Sequence, residues 1–238
     1  MDLNNQLLQM QNEWNKVVVE PFFENNNNYN LSRPYYMGLS SEYINSNKRI
    51  MIIGQETQGF GLYEDDWSML SIREWSIGYL RRQLWGIDKE KYSYNRSAFW
   101  KLFRSFEKYG YTPCWNNIDK IQRTINNKTV SLTYELEEHF CKQYGQDNKS
   151  LIQREIEICK PNVLLFITGP YYDFSMETSF GLEKGTLQKY RPTKDNLFSD
   201  VTDVFNLGIK VIWTYHPTFL NRNHKIDNCI NDIVNAIK

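Results

Sequence analysis

Short apolar runs, each ending abruptly in a turn, set the pattern of this chain. Ile50-Met51-Ile52-Ile53 stops at Gly54-Gln55-Glu56, and Val163-Leu164-Leu165-Phe166-Ile167 stops at Thr168-Gly169-Pro170. Ile209-Lys210-Val211-Ile212-Trp213-Thr214-Tyr215 runs straight into His216-Pro217. Unbroken apolar runs of this length suit strands buried on both faces, as in parallel sheets. Tyr111–Ile118 reads as a further short strand, ending in the amides Asn116 and Asn117. Between the runs the period changes to that of helices. Leu7, Met10, Trp14, Val17 and Val18 predict a helix over 3–19 that ends before Pro21. Phe99, Leu102, Phe103 and Phe106 form a second stripe, stopped near Gly110. Ile152, Ile156 and Cys159 form a third, stopped at Pro161, and Ile226, Ile230, Ile233 and Ile237 a last one. Residues 119–149 show one weak helical patch, and 171–207 read as loop-rich, with glycines at 181 and 185. The order predicts a single α/β domain over 1–238, with a central four-stranded parallel sheet between two helical layers.

Composition narrows the function classes. The 28 basic and 28 acidic side chains cancel, so no global field recruits DNA or a membrane. No stretch approaches the roughly 20 apolar residues of a membrane span, and the start Met1-Asp2-Leu3-Asn4 lacks the basic and apolar regions of a leader. The four cysteines, Cys114, Cys141, Cys159 and Cys229, are scattered, which suits reduced thiols of a cytoplasmic protein rather than a metal site or disulfide framework. Charge is nevertheless uneven. From Arg73 to Lys108 there are nine Lys or Arg against four Asp or Glu. Trp75, Tyr79, Trp85, Tyr92 and Tyr94 interleave with Arg81, Arg82, Lys89, Lys91 and Arg96. Cations among aromatic faces suit single-stranded or flipped-out nucleotides, whereas a helical flank with core aromatics and solvated charges is the plainer alternative.

If the strands are parallel, Glu56, Asn117, Gly169 and His216 share one edge of the sheet, where open α/β folds hold their ligands. His216 is singled out from His139 and His224 by its place at a strand end, fixed by Pro217. The glycines after residue 54 fit neither a dinucleotide fingerprint nor a P-loop.

Gly54-Gln55-Glu56 after a buried strand, with His216-Pro217-Thr218-Phe219-Leu220 after the last one, resembles the uracil-DNA glycosylase superfamily. Trp115-Asn116-Asn117-Ile118 resembles that family's base-reading strand end, and Lys160-Pro161-Asn162-Val163-Leu164 its passage from helix to strand. The likeness runs in order from residue 50 to 220 but only through short motifs. It implies the family's three-layer fold and a monofunctional N-glycosylase acting on a flipped-out base in duplex or single-stranded DNA. It further implies a monomer without cofactor, metal or membrane partner. Glu56 takes the place of the water-activating carboxylate and His216 that of the hydrogen-bond donor to the departing base. Gln55 and Asn117 read the base edge, Phe60 stacks on it, Leu220 fills the gap in the duplex, and Arg222 holds a phosphate. The four cysteines lack the clustering of the iron–sulfur relatives.

The departures suggest a substrate. The carboxylate is Glu rather than Asp, and Thr57-Gln58 replaces the family's Pro-Tyr pair. That tyrosine stands against C5 of the base in uracil-specific members, and Gln58 with Gly59 is no such wall. A C5-modified pyrimidine is therefore expected, with defence against phage carrying modified cytosines as one setting. Two rivals stand beside this: a non-catalytic nucleic-acid-binding member of the same fold, and an enzyme acting on free nucleosides.

Overall fold

The apolar runs do lie side by side in one sheet. A computed structural model describes residues 2–26, 30–56, 68–87, 90, 93–126 and 128–238. Its strands are β1 (Arg49–Gly54), β2 (Thr112–Asn117), β3 (Arg123–Ile125), β4 (Lys128–Val130), β5 (Val163–Phe166), β6 (Phe198–Asp200) and β7 (Lys210–Thr214). The main sheet has the order β2-β1-β5-β7-β6. Its first four strands are parallel, with Gly54 opposite Asn117, Ile50 opposite Val163 and Phe166 opposite Trp213. The expected four-stranded sheet is thus a five-stranded one, because β6 pairs antiparallel to the outer edge of β7. With three half-exposed or exposed residues, β6 carries no apolar run to betray it. β3 and β4 form a separate hairpin.

The helices are α1 (Leu3–Trp14), α2 (Glu20–Asn25), α3 (Ser41–Ile44), α4 (Met69–Trp85), α5 (Ala98–Lys108), α6 (Tyr134–Cys141), α7 (Leu151–Cys159), α8 (Asp173–Phe180), α9 (Thr202–Phe205), α10 (Pro217–Arg222) and α11 (Ile226–Ala236). α4, α10 and α11 pack on α5, while α1 and α8 pack on α7 and α6 packs on α8. Successive strand residues point to opposite faces, and β2 shows which layer lies where. Trp115 meets Trp100 of α5, and Asn116 meets Glu155 of α7. The protein is therefore α/β, with helices on both faces of a mostly parallel sheet. Among the described residues no helix is long and apolar enough to cross a membrane.

Two expectations fail for identifiable reasons. The first helix does not end before Pro21. A π-helical turn, Asn15–Val19, interrupts it, and α2 starts anew with Pro21 in its first turn, where a missing N–H costs nothing. Residues 171–207 are not mainly loop, since α8, α9, β6 and a 3-10 turn at Thr186–Tyr190 lie there. α8 hides because its inner face is polar: Asp173, Ser175, Glu177 and Ser179 are buried. Glu177 accepts from the backbone N–H of Gly185 (2.8 Å) and Leu187 (2.7 Å), so a carboxylate folds the following turn onto the helix.

The N-terminal helix, the end of β2 and α7 are tied by one buried polar network. Lys120 Nζ lies 2.6 Å from Glu155 Oε2, and both side chains are out of water. Asn116 Nδ2 donates to the same oxygen at 2.8 Å, and Gln11 Nε2 donates to Oε1 at 3.2 Å. A buried ion pair adds little over an apolar one, but losing one partner strands a charge, at about 3–5 kcal/mol. Lys120→Met is therefore expected to lower unfolding stability by about that amount in urea titrations. The double change Lys120→Met/Glu155→Leu should recover much of the loss. A single variant as stable as the parent would contradict this account.

Candidate active site

Parallel strands bring their carboxyl ends to one edge, and a cleft of about 460 Å³ opens there. Gln55 and Glu56 follow β1, Asn117 ends β2, and His216 follows β7; all four line the cleft. The remaining wall comes from the aromatic segment. Trp75 and Tyr79 of α4 stack at 4.9 Å, and Phe99, Trp100 and Trp115 continue the surface. Asn95, Ser97 and Thr218 add polar groups.

Gly54 is required here by close approach rather than by a special backbone angle. A Cβ at this position would sit 2.8 Å from Asn117 Oδ1 and 3.3 Å from the Phe99 ring. The Asn117 amide thus lies directly over the strand end. Its Oδ1 accepts from Trp115 Nε1 at 3.1 Å, which assigns the carbonyl end of the amide. Its backbone N–H donates to Asn116 Oδ1 at 2.8 Å, linking the cleft to the buried network. Gln55 is pinned sideways, its Nε2 donating to Thr168 O at 2.7 Å.

His216 caps α10. Its Nδ1 accepts the Thr218 N–H at 3.3 Å, so in the neutral ring the proton resides on Nε2. Burial pushes the imidazole pKa down to about 4. At neutral pH the cleft therefore holds an uncharged imidazole whose Nε2–H is a donor. The Phe99 ring faces it at 6.3 Å.

Glu56 lines the cleft and also meets the segment before α8. Tyr172, in the turn before α8, donates its hydroxyl to Glu56 Oε2. Burial, and then the Glu56 charge, push the phenol pKa well up, so it stays a donor. Behind Glu56 stand two more acids. Asp119 is pushed well above the carboxylate range by burial and by the charges of Glu137 and Glu56. Glu137 is raised to about 7, chiefly by burial. Cys141 Sγ lies 3.5 Å from Asp119 Oδ1. Among the described residues no group of acids, histidines and cysteines is arranged to hold a metal ion.

Tyr172 was not visible to sequence reasoning, because it lies in a stretch without period and its partner is 116 residues away. The expected sites fare unevenly otherwise. Gln58 and Phe60 lie outside the described residues, as do Tyr63, Trp67, Lys89, Lys91 and Tyr92. Leu220 is a correction. It is 0% exposed, since Pro217 and Leu220 share the inner face of α10, and its side chain cannot fill a gap in a duplex. Arg222 is exposed at the end of that helix. Several cations of the 73–108 segment also serve the fold rather than a phosphate. Arg73 is buried and donates to Asn4 O at 2.8 Å, Arg81 pairs with Glu42, and Arg104 donates to the carbonyls of Gln83 and Asn95.

No family model matches the chain, and no curated protein matches it.

Two measurements test this geometry. Gly54→Ala should cost about 1–3 kcal/mol through overpacking, and less when Asn117→Ala is also present, because the two changes share a contact; full additivity would show that the amide does not crowd the strand. The His216 ring should titrate by NMR near pH 4 with the proton on Nε2. As pH falls from 6.5 toward 4, the unfolded chain binds a proton that folded His216 refuses, so stability declines through that window. His216→Asn should flatten the decline. An imidazole midpoint near 6.5 would contradict its burial.

Proposed function

We propose that the protein is a DNA glycosylase with a uracil-DNA glycosylase-like fold. It would hydrolyse the N-glycosidic bond of a flipped-out, damaged or modified pyrimidine and leave an abasic site. One observation carries the reading: a carboxylate, an amide and a neutral imidazole donor, from three parallel strand ends, share a single aromatic-walled cleft.

The chemistry follows from these groups. As the bond from C1′ to the base nitrogen breaks, its electron pair leaves with the base and positive charge grows on the sugar. The His216 Nε2–H stabilises the negative charge that gathers on the base carbonyl oxygen, without giving up its proton. Glu56 stabilises the oxocarbenium-like sugar and orients the water whose oxygen adds to C1′. That water's proton passes to the carboxylate or to solvent, and the base anion is protonated on release. Such fixed dipoles act strongly where water is excluded. Asn117 holds the base edge, and Phe99, Trp75 and Tyr79 offer stacking faces among the described residues.

The substrate we favour is a C5-substituted pyrimidine. The cleft volume falls within the range of small-molecule sites, and Gln58 replaces the wall that uracil-specific members place at C5. Defence against phage with modified cytosines is the setting this suggests. The bond between Tyr172 and Glu56 Oε2 favours a second reading, a non-catalytic nucleic-acid binder in which the carboxylate serves only the fold.

The test is alkali-induced cleavage of oligonucleotides carrying uracil, thymine mispairs, hypoxanthine, hydroxymethylcytosine or its glucosylated form. Cleavage by the parent is expected on a C5-substituted base, with Glu56→Ala slower by about 10²-fold or more. DNA binding with silence across the panel would favour the binder. Excision of uracil alone would remove the open-pocket reading.

A further inference from the structure

The turn between β5 and α8 points consecutive tyrosines in opposite directions. Tyr172 is 7% exposed and bonded to Glu56, while Tyr171 is 89% exposed. The turn that holds Tyr171 in water is tightly pinned. Gly169 N–H donates to Thr214 O at 3.0 Å, and Trp213 Nε1 donates to Gly169 O at 3.2 Å. Pro170 restricts the next backbone angle. On the far side, Tyr172 O accepts the N–H of Met176 at 3.0 Å, inside α8. Beside this turn lies the segment after β7. There Tyr215 and Phe219 stack at 4.2 Å with their planes 21° apart, both half-buried. The exposed Tyr171 ring and the stacked pair thus stand on adjoining segments, the turn that carries Glu56's partner and the segment that carries His216, joined by the bond from Gly169 to Thr214. Arg222 is exposed at the end of the same segment. None of the three rings is among the residues lining the cleft.

We propose that Tyr171, with the Tyr215–Phe219 pair, is a stacking surface for unpaired bases of the DNA strand next to the cleft. The occupant rests on the glycosylase reading, which requires DNA with one nucleotide drawn out of its stack. The surface itself stands on its geometry. An exposed ring on a rigid turn stacks on a base with little ordering cost, every base offers a π-face, and Arg222 is placed to meet a phosphate. It also supplies what Leu220 cannot, since that side chain is buried.

Fluorescence anisotropy of labelled oligothymidylate at fixed salt, with the parent, Tyr171→Ala and Tyr171→Trp, tests the surface directly. Because Tyr171 is almost wholly exposed, thermal melting of both variants should match the parent. Tyr171→Ala is expected to bind about tenfold more weakly or worse, and Tyr171→Trp to restore binding. Equal binding by the alanine variant, or no binding by the parent at low salt, would overturn the proposal. Excision by the same proteins separates the two claims. Binding that depends on Tyr171 without excision of any base leaves the surface standing and removes the glycosylase. Excision with binding indifferent to Tyr171 does the reverse.

Discussion

The ion pair between Lys120 and Glu155 is the contact on which the arrangement of the cleft depends. Two opposite charges with no water around them must keep each other, and they tie together segments far apart in sequence. Glu155 belongs to α7, Lys120 to the loop after β2, and Gln11 to α1. Asn116 joins them at the last turn of the strand direction, and its Oδ1 then accepts the backbone N–H of Asn117. The amide that overlies Gly54 is therefore set from the opposite face of the sheet. Hydrophobic contacts tolerate sliding, whereas this network has a single geometry that satisfies it.

The two faces of the sheet contribute different environments to the same edge. On the α4–α5 side the wall is aromatic, with Trp75, Tyr79, Phe99, Trp100 and Trp115 in mutual contact. On the α6–α8 side, behind Glu56, stand the hydroxyl of Tyr172 and the acids Asp119 and Glu137. Burial acts on both sides in the same sense, because it disfavours whichever form is charged. His216 is driven to its neutral form and Asp119 and Glu137 toward theirs. Burial thus favours a neutral donor on one side of the edge and raised carboxyl pKa values on the other.

Structural use of polar residues explains why charge patterning alone misleads in this chain. The basic run from Arg73 to Lys108 reads as a phosphate surface, yet Arg73, Arg81 and Arg104 hold helices and loops together. Lys101 likewise reaches Asp227 of α11 at 2.8 Å. Of the aromatic residues in the same run, Trp75, Tyr79, Phe99 and Trp100 do face the cleft. Sequence shows which residues are present, and the fold decides which of them face inward.

The strands at 49–54, 163–166 and 210–214 were legible in the sequence because an unbroken apolar run has few uses other than a strand covered on both sides. The helices at 98–108, 151–159 and 226–236 were legible from apolar spacing of three and four. Their alternation implied a parallel sheet, and that alone brought Gln55, Glu56, Asn117 and His216 to one edge. The sequence did not reveal α8, whose inward face is polar, or β6, which is short and half-exposed. Nor did it reveal Tyr172 on Glu56 or the burial of Leu220, since the first is a contact between distant segments and the second depends on how a six-residue helix is rolled. Periodicity reports which side of an element avoids water; partners across the fold, and the direction a side chain finally takes, are decided only when the layers pack.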